Sequence, residues 1–286
     1  MSNGNDAATE RLNARMGLPR TNLHDPDVVR LLAGRLHDPR RVLGVHPLNE
    51  REVVIRVLLP NVTRAELVTP AAELTRVGET ALFEWVGRRN AVATPYRVRW
   101  QPDGGGWQGR YDPYGFPPHI EQDDLNRFGA GNHYHAHRFL GAHQHTIAGV
   151  TGMRFAVWAP NAERVSVVGT FNHWDGRYHP MAVRGDSGIW ELFIPELSPG
   201  ELYKYEISVR ESRELRINTD PYAAQYEHRP ATASVTTAPS RFAWTDQVWI
   251  KRRTEHDWLR EPISIYEVHL GSWRRGPPGD FLHYRT

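Results

Sequence analysis

The chain contains no cysteine in its 286 residues, so it forms no disulfide and offers no thiolate to a metal, which fits a reducing compartment. Lysine is nearly as scarce. It stands only at Lys204 and Lys251, and every other basic residue is Arg. Net charge is +2 with no Lys/Arg-rich run, so the electrostatic footprint of a nucleic-acid binder is missing. No stretch approaches the ~18 apolar residues of a membrane span. The N-terminal MSNGNDAATERLNARMGLPR has no apolar core of the kind a signal peptide needs. P-loop, GxGxxG, GxSxG and HExxH patterns are all missing, so no cofactor is expected. The expectation is a cytoplasmic monomer with no nucleic-acid or membrane partner.

What is present is short and β-rich. Hydrophobic residues make up 40%, enough for real cores, while 21 Pro and 24 Gly break up long helices. Residues 1–20 are polar and small and read as a disordered tail. Asp25-Pro26-Asp27 ahead of Val28, Leu31 and Leu32 predicts one short helix, with Asp as N-cap and Pro at the first helical position. Thereafter apolar residues alternate at period two in EVVIRVLLPN, ALFEWV, YRVRW, MRFAVWAPN, RVSVVG, IWELFIP and YKYEISV, the signature of half-buried strands.

These strands repeat. Ile55–Val68 matches Phe155–Val168 at an offset of 100 without a gap, sharing Pro60-Asn61 and Pro160-Asn161. FEW then answers WEL, YRVRW answers YKYEI, and Asp112–Tyr114 answers Asp220–Tyr222 as DPY. A unit of ~100 residues with several short strands has the size of an immunoglobulin-like β-sandwich. The expected division is a disordered tail over 1–20 and a β-sandwich module with a leading helix over 21–118. A connector follows over 119–140, and a second sandwich over 141–240. Residues 241–286 differ: EPISIYEVHLGSWRR reads as a strand over Ile263–Leu270 buried on both faces, as in a parallel barrel. The fold class is therefore mainly β, two tandem sandwiches and the first strand of an incomplete (β/α)₈ barrel.

DPYGFPP (112–118), FGAGNHYHAHRFLGAH (128–143), FAVWAPNA (155–162), GTFNHWDG (169–176) and YEVHLGSWRR (266–275) stand in the order found in bacterial 1,4-α-glucan (glycogen) branching enzymes. HDPRRVLGVHP (37–47) resembles the start of that family's additional N-terminal module. The resemblance spans nearly the whole chain. It implies an enzyme that cleaves an α-1,4 glucan and transfers the chain to a 6-hydroxyl by a retaining, two-carboxylate mechanism. It also implies a glycogen-binding-type module over the second sandwich. Family catalytic carboxylates lie on later barrel strands, and a barrel needs ~250 residues. No residue here matches one, so no catalytic residue is assigned and the chain by itself is expected to be inactive. The alternative is a stand-alone α-glucan-binding or scaffold module.

Three residues are candidates for glycan contact. Trp174 matches the stacking platform of glycogen-binding modules, since a sugar's apolar face packs on an indole; the competing role is a cap on the sandwich end. Lys204 matches the module's sugar-contacting Lys; the competing role is an ordinary solvent-facing strand residue. Asn172 lies in the Trp174 loop as a partner for hydroxyls. The second stacking aromatic of such modules should follow the Lys204 strand, but SVRESRELRINTDPY (208–222) has none before Tyr222. His133, His135, His137, His143 and His145 invite a metal, but no carboxylate or Cys shares their spacing, so none is expected. Trp85, Trp100, Trp158 and Trp190 are expected to pack in cores. Glu267 and His269 share one face of the predicted barrel strand and read as structural.

Overall fold

The computed structural model describes residues 20–240 and 242–276; all of the predicted tail over 1–20 except Arg20, and the last residues, 277–286, lie outside them. Residues up to Pro239 belong to one compact unit and those from Ser240 to a second.

The first unit opens with helix α1 (Pro26–Leu32). The Asp25 side chain accepts the N–H groups of Asp27 and Val28, and Pro26 holds the first turn, as the sequence predicts. Seven strands follow: β1 (Gly44–Pro47), β2 (Glu52–Leu58), β3 (Val62–Leu67), β4 (Ala72–Arg76), β5 (Leu82–Arg88), β6 (Arg97–Pro102) and β7 (Gln108–Tyr111). All pair antiparallel in the order β1-β2-β5-β4-β3-β6-β7. Because β4 pairs with both β3 and β5, the two halves form one continuous sheet instead of two separate layers. Ile55, Val57, Ala65, Leu67, Phe83, Tyr96 and Val98 fill its interior.

Helix α2 (Gln122–Gly129) leads into β8 (Gly141–Ile147), β9 (Val150–Trp158) and β10 (Ala162–Gly169), then β11 (Ala182–Val183), β12 (Ile189–Pro195), β13 (Leu202–Val209), β14 (Leu215–Asn218), β15 (Gln225–Tyr226) and β16 (Ser234–Val235). These make two sheets, β11-β12-β9-β8 and β10-β13-β16-β15, with β14 pairing with Tyr205–Ser208 of β13, beyond the stretch that β16 takes. Phe155, Val165, Val167, Trp190, Leu192, Tyr203 and Tyr205 interdigitate between them.

The repeat seen in the sequence is a repeat in space. β2 pairs with β5 as β9 pairs with β12, and β3 with β6 as β10 with β13. The irregularity in each of the latter ladders falls at the same offset, between Val62 and Arg64 and between Ala162 and Arg164. Each module also buries its DPY aspartate beneath tyrosine hydroxyls: Tyr96 donates to Asp112, and Tyr203 donates to Asp220 at 2.6 Å. The correspondence extends further than expected. Residues 119–140, read as a connector, hold α2 and cover the outer face of β9 and β12 through Ile120, Leu125, Phe139 and Leu140. His46 contacts the Leu43 carbonyl at 3.1 Å, and His143 that of Leu140 at 2.8 Å, so LGVH and LGAH are one structural element used twice.

Two expectations are corrected. Trp158 is 54% exposed instead of packed in a core. Met153, Phe155 and Val157 point inward from β9, so Trp158 falls on the outer face, where it meets Phe128 edge-on at a centroid distance of 5.9 Å. Trp100 and Trp190 are buried as expected, and Trp85 packs at the edge of the first core. In the second unit, which holds α3 (Gln247–Glu255) and α4 (Leu270–Trp273), residues 262–269 form no strand, and Leu270 already belongs to a helix. Among the described residues of this unit no strand lies beside the segment, so it has no neighbour with which to exchange ladder hydrogen bonds.

Candidate functional site

Within the first unit, one groove of about 970 Å³ stands out for size. It lies where the two β modules meet. The second module contributes Glu163 and Arg164 of β10, the loop Trp174-Asp175-Gly176-Arg177, Glu206 of β13 and Leu215 of β14; the first contributes the end of α1 from Leu31 to Leu36, with Leu58 and Pro60.

The Trp174 loop is held by its own backbone. After a single 3₁₀ turn, Thr170–Asn172, His173 and Trp174 both adopt left-handed φ values of 57° and 61°, and the Trp174 N–H returns to the Gly169 carbonyl at 3.0 Å. Left-handed residues are uncommon outside glycine and persist where surroundings over-determine them. Arg164 supplies part of that constraint, donating to Ser166 Oγ at 2.6 Å and to the Gly176 carbonyl at 3.2 Å while pairing with Glu206. Trp174 remains 39% exposed, a large apolar ring presented at the groove.

Most of the groove's charge is paired. Arg35 donates through Nε and Nη2 to Glu163 Oε1 at 3.0 and 2.9 Å. Arg164 pairs with Glu206, and Arg177 with Asp175 at 2.6 Å. Burial works against ionised Asp175, but the hydrogen bonds from Arg177 hold its carboxyl below the usual range. Three ion pairs, with Arg213 as a fourth arginine on the lining, give a surface dense in hydrogen-bonding groups.

The other predicted residues fall differently. Asn172, expected to meet sugar hydroxyls, is 2% exposed and fully used inside the loop. Its Oδ1 accepts the Gly169 N–H at 2.8 Å, and its Nδ2 donates to the Val167 carbonyl and to His179 Nδ1, each at 2.9 Å. It staples the loop that presents Trp174 and cannot reach a ligand; this corrects the expectation. Lys204 sits two residues before Glu206 on β13, on the same face and about 7 Å along the strand. Its Nζ donates to Thr232 Oγ1 at 2.7 Å, and it does not line the groove. Glu163, Arg164 and Glu206 were missed by sequence reasoning. The sequence signal for them was slight: Glu163 and Arg164 are adjacent charges at the start of β10, and Glu206 alternates with Lys204 along β13. The histidines do not converge. His133 meets Asp124 at 2.8 Å, His135 packs on His137, and His145 packs on His119.

Residues 139–223 match carbohydrate-binding module 48 (isoamylase N-terminal domain), so the module bearing Trp174 is of a carbohydrate-binding class. Residues 24–114 match the N-terminal domain of alpha-1,4-glucan branching enzyme GlgB. Among curated relatives, the 1,4-alpha-glucan branching enzyme GlgB of Nitrosococcus oceani is 49% identical over 249 residues, covering 87% of this chain and 33% of its own. That of Cellvibrio japonicus is 45% identical over 280 residues, covering 94% and 38%. The chain belongs to the GlgB-type 1,4-α-glucan branching enzyme family and corresponds to its N-terminal region. It spans about a third of the length of the curated relatives it matches. Among the described residues no helix is long and apolar enough to cross a membrane.

Proposed function

We propose that this chain is the glucan-binding N-terminal part of a branching enzyme, and that Trp174 is the platform on which the α-glucan rests. The whole enzyme would cleave an α-1,4 bond and pass the released chain to a 6-hydroxyl through a covalent glycosyl intermediate. In this proposal residues 21–118 and 141–240 are two immunoglobulin-like modules, and Ile263–Leu270 becomes the first strand of the catalytic barrel once neighbouring strands pair with it. The protein acts as a cytoplasmic monomer on glycogen or an amylose-like glucan.

The observation that carries the proposal is the exposed indole of Trp174 beside three neutralised ion pairs, in a module matched to a carbohydrate-binding class. An indole stacks on the C–H face of a sugar, and paired carboxylates and guanidiniums bond its hydroxyls. Lys204, on the same sheet face, extends that surface. Affinity electrophoresis in glycogen gels tests it. The wild-type chain is retarded and Trp174→Ala is not. Equal mobility of the two refutes the platform. An iodine–amylose assay on the chain as given is expected to stay at the level of a heat-killed control.

A further inference from the structure

The groove beside Trp174 has a second wall that belongs to a different module. Leu32 and Arg35 reach it from the C-terminal end of α1, and the Arg164 guanidinium lies against Gly34 beneath them. The seam is closed below the groove: the Tyr178 hydroxyl donates to the Pro60 carbonyl at 3.0 Å, and the Val183 N–H to the His37 carbonyl at 3.0 Å. The two walls therefore hold a fixed spacing.

We infer that the glucan site is composite, with a linear α-1,4 chain running from Trp174 across the seam to a subsite formed by Arg35 and Leu32 of the first module. This rests on the assignment of Trp174 as the platform. Four observations support it. First, the cavity is continuous from one module to the other, and about 970 Å³ is the upper end of the size range for small-molecule sites, more than a single sugar ring requires. Second, Arg35 bridges the seam with a doubled hydrogen bond to one oxygen of Glu163, and its Nη1 and the other Glu163 oxygen have no partner among the described residues. A donor and an acceptor side by side suit the vicinal hydroxyls of a glucose unit. Third, Leu32 on one side and Leu215 on the other are exposed on the groove, apolar surface for the C–H faces of successive sugars. Fourth, each of the groove's three carboxylates is paired with an arginine, with Arg213 the one further cation, so the site offers many hydrogen-bonding groups of the kind a polyol uses. The stretch from Ser208 to Pro221 carries no aromatic, so the second module offers no further ring there; in the composite site the first module takes that place.

A composite site makes affinity depend on glucan length in a way that a single platform does not. The test titrates the whole chain with maltotriose and maltoheptaose, with cellohexaose as control, by calorimetry. Wild type is compared with Trp174→Ala, Arg35→Ala and Leu32→Ser, each checked for an unchanged melting temperature. The expected result is that maltoheptaose binds wild type about tenfold more tightly than maltotriose does, the scale of one hydrogen bond to a charged group. Arg35→Ala and Leu32→Ser lose that advantage while maltotriose affinity stays the same. If Trp174→Ala abolishes binding but the α1 variants keep the full length dependence, the second wall is not a subsite and the composite site falls while the platform stands. If wild type binds neither malto-oligosaccharide, or Trp174→Ala binds as well as wild type, the platform falls and the composite site with it.

Discussion

Glu84 and Glu191 occupy equivalent places in β5 and β12, and each grips the backbone of the segment that leads into its own module. Glu84 accepts the N–H groups of Arg20 and Thr21, the latter at 3.0 Å; Glu191 accepts those of His119 and Ile120 at 2.7 and 3.0 Å. Both carboxylates are buried, and Glu191 also pairs with Arg184. A charge inside a fold persists only when hydrogen-bonded and paired. Each glutamate thus fixes where a module begins.

Removing Glu191 should be severe. Glu191→Ala frees the buried Ile120 N–H and the partly buried His119 N–H and leaves the half-buried Arg184 without its carboxylate. Breaking one side of a buried pair costs about 3–5 kcal/mol. Urea unfolding should show a loss on this scale; a loss below about 1 kcal/mol would mean that water replaces the carboxylate without penalty.

Asp112 gives a pH dependence with a definite sign. Burial pushes its carboxyl from 3.8 up to about 6. The folded state therefore keeps the proton longer than the unfolded chain does. Its stabilising contribution is complete below about pH 4 and is lost as pH rises to about 6. Burial lowers His46, His143 and His145, the last to about 4, so their contribution runs the other way and fades on acidification. The histidines cancel in a comparison of wild type with Asp112→Asn. Between pH 4 and 7 the variant should gain about 3 kcal/mol relative to wild type. A flat difference would show that Asp112 titrates normally.

Two glycines separate steric clash from backbone strain. Gly141 and Gly200 both have φ of +99°, but a Cβ at Gly141 would lie 2.9 Å from the Tyr222 carbonyl oxygen, whereas at Gly200 it meets nothing within 4 Å. Gly200→Ala should cost about 1–2 kcal/mol from conformation alone. Gly141→Ala should cost clearly more, read as a larger drop in melting temperature. Gly44 stands in the same relation to the Tyr114 carbonyl, also at 2.9 Å, and should behave like Gly141.

Asn172→Ala should weaken glucan binding without removing a sugar contact. It strips the acceptor for the Gly169 N–H and the donor to Val167, at a cost of about 1–3 kcal/mol for buried groups left unpaired. Faster hydrogen exchange at the Gly169 amide should accompany the loss of affinity. Normal exchange with lost affinity would place Asn172 at the sugar after all.

Much of this architecture was legible in the residues. Apolar alternation located β2, β5, β6, β9, β10, β12 and β13, although β10 and β12 proved buried along almost their whole length, on both faces. The offset of 100 found the duplication, and the ladder irregularities of the structure fall at that same offset. Where alternation was overlooked, the expectation failed: Trp158 follows Val157 and had to face away from it. The helix α2 escaped notice because it is polar apart from Leu125 and Phe128, and its role comes from covering a sheet built of distant residues. The groove was illegible for a related reason. Trp174 is marked by its loop, but its neighbours Arg35 and Leu32 lie more than a hundred residues away and arrive only through packing.

That packing has a consequence for the pair of modules. One buried cluster runs from Val28, Leu31 and Leu36 through Leu82 to Phe155, Val167 and Tyr205, with no polar layer dividing the first module from the second. Calorimetry should accordingly record one melting event for this unit. Cutting at the midpoint would expose half an interior on each piece. In any rearrangement of genes, the two modules are tradable only as a single inseparable block.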